Sequence, residues 1–422
     1  MKVTMAVLGL VLAFLPTPVT SAAEQGNTTK QVNVRDFSGL AEDGNWAPAI
    51  QAAVDQVTEK NGFTRGATVF LPPGTYRIDK RIVVGKDPAH HGIRLSGYGA
   101  ILVGTETLDE QPLHYEERKK TLAEKGDNFS LKALPGELGL DGKTNVGVPI
   151  LELWNPPGEE GASYVIEGLT FEREARRNGV GIKIPAETVP KNVTFRDIKV
   201  HRQNVGVHVN ACWQIRFENC IIRANRIGIW GRNHFNSVSV TNSTIRRQHL
   251  HGLVIGPNAG SWGSSGIHIA GSIFEANKGY GILNQDGVQV AILGNYFEAN
   301  GNSIGVLSRF GNTTIDTNHF WSSYGHGWDR NRLDGQVVSD RAHIIVSSKN
   351  VQLRNNRYGK LQSNLIFGLS GKNAFDTRPR VADGVELPDG TRVASSGGLG
   401  TYLYDPETGQ FSLHEYELVG EE

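Results

Sequence analysis

The chain has 422 residues, a formal net charge of zero and 51 glycines, and 38% of its residues are hydrophobic. A balanced charge gives no reason to expect a nucleic-acid partner. A compact core of this length would ordinarily divide into domains. A fold that grows in one dimension escapes that limit, so one elongated domain is expected.

The first residues predict a signal peptide over residues 1–23. Lys2 precedes an apolar run over 3–15, and small residues follow at 20–23. Cleavage is expected after Ala22 or Ala23. The apolar run is too short to span a bilayer, and no later segment is long and apolar enough. The sequence therefore predicts a secreted or periplasmic protein without a membrane partner.

Residues 46–60 place Ile50, Ala53, Val54 and Val57 on one face of an amphipathic helix. Apolar runs at 68–78, 81–85 and 92–104 follow and predict short strands. The open end of a parallel stack exposes unpaired strand edges, so this helix is predicted to cover that end as an N-terminal cap.

Between residues 179 and 359 the chain repeats about every 23 residues. Asp197 to Asn219 is 22 residues, Asn242 follows at 23, and Gly294 to Thr317 is again 23. Each unit holds three short runs of alternating polarity, which is typical of coils of a parallel β-helix. Asn and Gly tolerate the backbone of a sharp corner, and stacked Asn amides can bond along the axis. The predicted corner residues are Asp197, Asn219, Asn242, Gly271, Asn295, Asn318 and Asn356.

Two insertions interrupt these coils, at residues 105–149 and 321–341. The first is charged and predicts a short helix over 116–125. The β-helix domain is predicted over 31–358, and a C-terminal cap or tail over 359–422 with a hairpin around 406–409. Cys212 and Cys220 are expected as free thiols, although a disulfide stays open.

The N-terminal segment also resembles the start of the pectate-lyase superfamily of right-handed β-helix proteins, closely over 31–104 and by architecture over 160–360. The resemblance implies an all-β fold, a right-handed parallel β-helix solenoid. It leaves the reaction open, because the family includes lyases, hydrolases, epimerases and phage tail spikes. The matching residues are Asp36-Phe37, the helix at 49–55, Pro72-Pro73-Gly74-Thr75-Tyr76 and Leu95-Ser96-Gly97-Tyr98-Gly99.

One strand of each coil begins at a glycine and is predicted to form the floor of a groove. Coils stack about 4.8 Å apart, close to the rise of one sugar along an extended glycan. The groove could therefore present one side chain to each sugar. The glycines are Gly181, Gly206, Gly228, Gly252, Gly281 and Gly305. The side chains expected to point outward are Lys183, His208, Trp230, Val254, Leu283 and Leu307.

The loop that enters this strand is basic in several coils, whereas acidic residues are expected elsewhere, largely in 105–174 and the C-terminal tail. We interpret this charge as a track for an anionic polymer, with a solvated face as the alternative. The second insertion adds aromatic residues that suit a sugar-facing wall. The predicted substrate-binding residues are Arg176, Arg202, Trp230, Arg232, Lys278, Trp321, Tyr324 and Trp328.

A basic groove favours a polysaccharide lyase or a uronate C5-epimerase. Both remove the proton alpha to a carboxylate, which requires neutralisation of that carboxylate and a base. Histidine suits the base because its ordinary pKa is near 6.5. The predicted catalytic residues are Lys183, His208, Arg226, His249 and His251.

Other functions stay open at this point. A glycoside hydrolase or glycan transferase would use two carboxylates, for which Asp286, Glu275 and Asp329 are the candidates. A non-catalytic glycan-binding β-helix is the third interpretation. The groove lacks a cluster of Asp and Glu oxygens for Ca²⁺, so no cofactor or metal is predicted, with Ca²⁺ as the alternative. The predicted partner is a polysaccharide, and the oligomeric state is open.

Overall fold

The fold is seen in a computed structural model. It describes residues 30–358, and beyond them only five short strands between 365 and 415. Within 30–358 the residues not described are 64, 111–114, 134–137, 139–144, 157–160, 176–177, 187–188, 259–263, 309–311, 324–342, 347 and 349–350. The predicted signal peptide lies outside the described residues.

Strands dominate the chain, and they are short apart from two that run around a corner. The helices are α1 Ala47–Asp55, α2 Glu106–Asp109, α3 Tyr115–Glu124 and α4 Asn128–Ala133, and 3-10 helices span Val34–Leu40, Glu59–Asn61 and Pro88–His90. The strands up to the second insertion are β1 Gln31–Asn33, β2 Thr68–Phe70, β3 Gly74–Ile78, β4 Ile82–Val84, β5 Arg94–Ser96, β6 Ala100–Gly104, β7 Pro149–Leu153, β8 Tyr164–Glu167, β9 Thr170–Arg173, β10 Asn178–Ile184, β11 Lys191–Arg196, β12 Lys199–His201, β13 Gln203–Glu218, β14 Ile221–Arg223, β15 Ile227–Thr241, β16 Thr244–Arg246, β17 His251–Ile255, β18 Ser264–Ala270, β19 Ile273–Glu275, β20 Tyr280–Asn284, β21 Gly287–Leu293, β22 Tyr296–Glu298, β23 Asn302–Val306, β24 Thr313–Asp316 and β25 His319–Phe320. The remaining strands are β26 Ile344–Val346, β27 Val351–Arg354, β28 Arg357–Tyr358, β29 Leu365–Phe367, β30 Val385–Glu386, β31 Arg392–Val393, β32 Gly400–Asp405 and β33 Gln410–Glu415.

The strands form a parallel solenoid. One sheet has ten strands, one from each of ten successive coils. Their order in the sheet is β3, β6, β9, β12, β14, β16, β19, β22, β25 and β28. The larger sheet covers two faces of each coil, because β13 pairs with β10 near its start and with β11 near its end. Phe195, Phe217 and Val240 are register partners in one buried column.

The corners stack as predicted in the first four units and are displaced by one residue in the last three. Asp197, Asn219, Asn242 and Gly271 all have positive φ, and each donates its N–H to the coil above. In the later coils the positive φ falls at Gly294, Thr317 and Asn355. The prediction of Asn295, Asn318 and Asn356 as corners was therefore wrong, because each corner is the residue before the Asn.

Those three Asn side chains instead form a ladder inside the coils. The backbone N–H of Asn295 donates to the side-chain Oδ1 of Asn318 at 2.9 Å, and the backbone N–H of Asn318 donates to the side-chain Oδ1 of Asn356 at 3.0 Å. Bonding of Asn amides along the axis is thus confirmed. Buried phenylalanines stack beside the ladder, with the rings of Phe297 and Phe320 4.9 Å apart.

The glycines at the start of the groove strands are required by the close approach of neighbouring coils. A Cβ at Gly181, Gly206, Gly228 or Gly252 would overlap the carbonyl oxygen of the following glycine in this set. At the next coil the register places Ser303, not Gly305, opposite Gly281. Leu307 therefore does not continue the predicted column, which passes through Gly305 instead.

The other predicted elements are largely present. Helix α1 buries Ile50, Ala53 and Val54, and the Gln51 side chain bonds both the N–H and the C=O of Val83 on strand β4. Its role as a cap stays a prediction. Helix α3 lies where the first insertion predicts a helix, and β32 and β33 form the predicted hairpin. No helix in the described part of the chain is long and apolar enough to cross a membrane.

Both cysteines are buried free thiols, as expected. Burial raises the pKa of Cys212, and it raises the pKa of Cys220 to about 12. Neither thiol therefore has the thiolate character that a nucleophile would need.

Candidate functional site

The outward-facing side of the glycine-led strands holds a continuous column of register partners, here called the outer row. Lys183 on β10 pairs with His208 on β13, and His208 pairs with Trp230 on β15, as the sequence predicts. The row extends one coil further back, where Lys183 pairs with Glu152 on β7. In chain order the outer row is Val83, Glu152, Lys183, His208, Trp230, Val254, Leu283, Gly305 and Ile345.

Trp230 lies between two predicted site residues. Its ring stacks on His208 with centroids 5.0 Å apart and an interplanar angle of 24°. The Arg232 guanidinium lies 5.1 Å from the same ring, within the range of a cation–π contact. Trp230 Nε1 donates to the Gly256 carbonyl at 2.7 Å, and Arg232 Nε donates to the Pro257 carbonyl at 2.8 Å. The three side chains form one ordered stack.

The outer row is buried, whereas the sequence predicts an open groove floor. Lys183 is 1% exposed, and His208 and Trp230 are 0% exposed. The row borders a second apolar cluster, which includes Trp230, Val254 and Leu283 and is separate from the solenoid interior. Val146, from the end of the first insertion, packs into this cluster, and its carbonyl accepts a hydrogen bond from Asn204 Nδ2 at 3.0 Å.

Three basic residues occupy equivalent positions in the turn that leads into the groove strand, and we call them the turn row. The N–H groups of Arg226, His249 and Lys278 each donate to the preceding coil, at 3.0, 2.7 and 3.0 Å. All three side chains are half-buried. Their alignment follows from the second corner of each coil, where residues such as Ala224 and Arg247 take positive φ.

Arg202, which the sequence predicts as a substrate-binding residue, does not belong to the turn row. It sits at the corner itself, with φ of 67°, and is equivalent to Ala224 rather than Arg226. Its Nη1 donates to Glu172 Oε1 at 2.8 Å. A carboxylate thus already neutralises this guanidinium.

The expectation that acidic residues lie away from the basic loops was also wrong. On the outside of the ten-stranded sheet, Arg223 pairs in register with Arg246, Arg246 with Glu275, and Glu275 with Glu298. Arg246 Nη1 lies 3.7 Å from Glu275 Oε2. This face has mixed charge, so the basic track narrows to the turn row.

His251 has a structural task and is separate from the outer row. It pairs in register with Ile227, not with Trp230 or its neighbours in the row. Its Nδ1 accepts the Tyr280 N–H at 3.0 Å, and its side chain is fully buried. These contacts give His251 the role of an acceptor at the start of a strand.

Glu275 and Asp286, two of the candidate carboxylates of a hydrolase, lie on different parts of the coil. Glu275 lies on the ten-stranded sheet and pairs with Arg246. Asp286 follows β20, where its Oδ2 accepts the Asn258 N–H at 2.7 Å. Asp329 lies outside the described residues. In the described part of the chain, no three His, Cys, Asp or Glu side chains group as a metal site.

Trp321 is set apart from the outer row. It follows β25 of the ten-stranded sheet, is 51% exposed, and lies 6.1 Å from the His319 ring. Arg176, Tyr324 and Trp328 lie outside the described residues, so their predicted roles stay predictions.

A cleft opens at the N-terminal end of the outer row, and the sequence reasoning missed it. It has a volume of about 750 Å³ and lies between helix α1 and the strand ends around Glu152. Glu152 is fully buried, and its carboxylate accepts from Trp154 Nε1 at 3.1 Å and lies 3.6 Å from Arg81 Nη1. The signal was a single carboxylate within the apolar strand β7. We call this space the Glu152 cleft.

A family model described as the right handed beta helix region matches residues 159–287 and 227–377. The chain belongs to this right-handed β-helix family. The match confirms the right-handed β-helix family that the resemblance of the N-terminal segment implies, and it shows that the solenoid is right-handed. With it the predicted all-β right-handed solenoid is confirmed.

Two curated relatives come from Azotobacter vinelandii. Mannuronan C5-epimerase AlgE6 is 29% identical over 231 residues, which is 51% of this chain and 24% of AlgE6. Mannuronan C5-epimerase AlgE3 is 28% identical over 229 residues, which is 50% of this chain and 11% of AlgE3. This chain therefore matches a quarter or less of the length of either relative.

Among solved structures, DFA-IIIase from Arthrobacter chlorophenolicus A6 in complex with DFA-III has a TM-score of 0.51. The two chains are 11% identical, and the match covers 78% of this chain and 76% of the other. At this identity the likeness concerns the fold.

Proposed function

We propose that this chain is a glycan-modifying enzyme that removes the proton alpha to a uronate carboxylate in a polysaccharide and returns a proton as a C5-epimerase. The activity named for both relatives favours epimerisation over elimination. The observation that supports the chemistry most is the outer row, where Glu152, Lys183 and His208 hold one position in three successive coils. A carboxylate, an ammonium and an imidazole thereby follow one another at steps of about 4.8 Å.

Removal of the alpha proton places negative charge on the sugar and its carboxylate. Cations fixed before the reaction stabilise that charge without reorganising during it. The turn row supplies two such cations, Arg226 and Lys278, beside the strands of the outer row. Within the described residues Arg226 makes no ion pair, so its charge is available to a substrate.

Epimerisation requires one group to remove the proton and another to return it on the opposite face of the ring. His208 and Lys183 lie on the floor, and His249 lies in the turn row beside it. A sugar between floor and turn row would therefore meet titratable groups on two sides. We assign His208 on the floor as the base and His249 in the turn row as the acid, because the two groups would then act on opposite faces of the ring.

Entry of a glycan requires the cover of the outer row to open, because Lys183 and His208 are buried. The described part of that cover includes Val146 at the end of the first insertion. Contacts with remote units of a polymer can supply the free energy for such an opening. A secreted or periplasmic location belongs to the same proposal and rests on residues 1–23.

The test is incubation of the full chain with polymannuronate in D2O. An epimerase returns deuterium to C5, so the product should contain inverted uronate units, each with one deuterium at C5, by NMR and mass spectrometry. A lyase would instead yield unsaturated uronate ends with ultraviolet absorbance. New reducing ends without either signal would indicate hydrolysis, and an unaltered polymer would contradict the proposal for this substrate class.

A further inference from the structure

We propose that the Glu152 cleft binds one carboxylate-bearing sugar unit of the substrate chain and so sets the position of that chain along the outer row. This inference rests on the proposed function, because it concerns a subsite of the same groove. It is carried by the cleft's place, its charge and its buried carboxylate.

The cleft is large enough for a sugar and has both apolar and polar walls. Its volume of about 750 Å³ lies within the range of about 300–1,000 Å³ for small-ligand sites. Helix α1 supplies one wall through Ala47, Pro48 and Gln51. Gln51 is fixed there by its two hydrogen bonds to Val83. These bonds attach the helix wall to strand β4.

The charge of the cleft favours an anion. Lys80, Arg81 and Lys86 line it, and Glu152 is the carboxylate among its lining residues. Lys80 and Lys86 are exposed, whereas Arg81 is half-buried beside Glu152. Three cations against one buried carboxylate leave positive charge at the mouth, where a uronate carboxylate would be attracted. A guanidinium also offers paired N–H donors that match a carboxylate.

Glu152 acts here as a positioning residue. Its Oε2 accepts a hydrogen bond from Trp154 Nε1 at 3.1 Å, and its Oε1 lies 3.6 Å from Arg81 Nη1 as an ion pair. The Trp154 backbone is fixed as well, since its N–H donates to the Val84 carbonyl at 2.8 Å. An indole fixed at its polar edge presents an apolar face to a ligand. A uronate thus finds a cation for its carboxylate and a flat surface for its ring.

The cleft adjoins the proposed reacting groups. Glu152 is the register partner of Lys183, and Lys183 is the partner of His208. Successive coils are about 4.8 Å apart, so the unit next to the one in the cleft would lie over Lys183. The unit after that would lie over His208, so occupation of the cleft would place a defined sugar, two units from the cleft, at the proposed base.

The experiment measures binding of an oligomannuronate, and of the same oligomer with its carboxyl groups reduced to alcohols, by calorimetry. Arg81→Ala and the double variant Lys80→Ala/Lys86→Ala should each weaken binding of the charged oligomer by about tenfold, as loss of a charged hydrogen bond does. The reduced oligomer should bind the variants and the original chain equally. Arg77→Ala is the matched control, because Arg77 pairs with Glu174 outside the cleft. The double variant leaves the buried Glu152 with its partner, so it tests the cleft even if Arg81→Ala fails to fold.

Unchanged binding in the double variant, or equal loss for the reduced oligomer, would overturn the inference. The deuterium test separates this outcome from failure of the proposed function. If deuterium is incorporated and the double variant binds the oligomer unchanged, the proposal for the cleft is contradicted and the proposed function is not. Charge-dependent loss of binding without any incorporation supports the cleft and sinks the catalytic proposal.

Discussion

The His208 imidazole stacks on the Trp230 indole, with ring centroids 5.0 Å apart in neighbouring coils. Trp230 in turn is fixed by its hydrogen bond to the Gly256 carbonyl and by Arg232 on its ring. The imidazole therefore has a defined orientation before any ligand binds. A base held in this way loses little freedom in the reaction, which favours its assignment.

The first prediction concerns His208. His208→Gln keeps most of the side-chain volume against Trp230 but removes the titrating group. We expect turnover of polymannuronate to fall at least about a hundredfold, the usual contribution of a general base. Rates should be measured by NMR of the product, and near-ultraviolet circular dichroism should show that the aromatic packing is intact.

His251 provides the contrast. His251→Ala leaves the buried Tyr280 N–H without its acceptor, so we expect a loss of unfolding free energy of about 1–3 kcal/mol. His251→Asn can restore an acceptor and should recover part of that loss. Turnover of the folded fraction should stay near that of the original chain. A hundredfold loss of turnover in His251→Asn, with His208→Gln active, would reverse the two assignments.

Alternation along the strands was enough to predict the outer row from Lys183 to Trp230. It could not reveal that the row is buried, because the apolar cluster beside the row includes Val146, which lies outside the repeat. The corners at Gly294 and Thr317 were misplaced by one residue because the Asn that follows each of them is also a common turn former. In the structure that Asn lies one residue past the corner, and it takes part in the ladder inside the coils.

The Glu152 cleft was missed for a different reason. Strand β7 lies outside the 23-residue repeat, so alternation gave no register for Glu152. The pairing of Arg202 with Glu172 was equally hidden, since the two residues are 30 apart in the chain and meet only when coils stack. Contacts of this kind follow from the coil length, which varies where the chain contains insertions.

The second prediction concerns the glycines of the groove strands. Gly228→Ala places a methyl group against the Gly252 carbonyl, which cannot retreat without shifting a coil. Overpacking of this kind costs about 1–3 kcal/mol of unfolding free energy. Gly39→Ala is the control, because nothing lies within 4 Å of its added Cβ. Urea unfolding of both should show the difference, and equal midpoints would mean that the coils adjust freely.

The third prediction separates the turn row from the paired corner residue. Arg226→Ala should weaken the binding of polymannuronate and make that binding less sensitive to salt, because the variant loses an attraction between charges that salt screens. Arg202→Ala should change binding little, since Glu172 already neutralises that guanidinium. Affinity at two ionic strengths tests both. Equal losses for the two variants would restore the wider basic track that the sequence suggested.

The fourth prediction concerns pH and His343. Burial lowers the pKa of His343 from its ordinary 6.5 to about 3, and its Nδ1 lies 3.0 Å from Ser323 Oγ. Between these pH values the unfolded chain binds a proton that the folded protein does not, so stability is lost as the pH falls below about 6.5. At pH 5 the loss from this group is about 2 kcal/mol.

The comparison uses urea unfolding at pH 7 and pH 5 for the original chain and for His343→Asn. The other buried histidines and the carboxylates are common to both proteins, so the difference between the two pH-dependent losses belongs to His343. The variant should lose about 2 kcal/mol less than the original chain on acidification. An NMR titration should also show a neutral His343 imidazole at pH 5. Equal acid losses in the two proteins, or a charged His343 at pH 5, would mean that this histidine is open to water in the folded state.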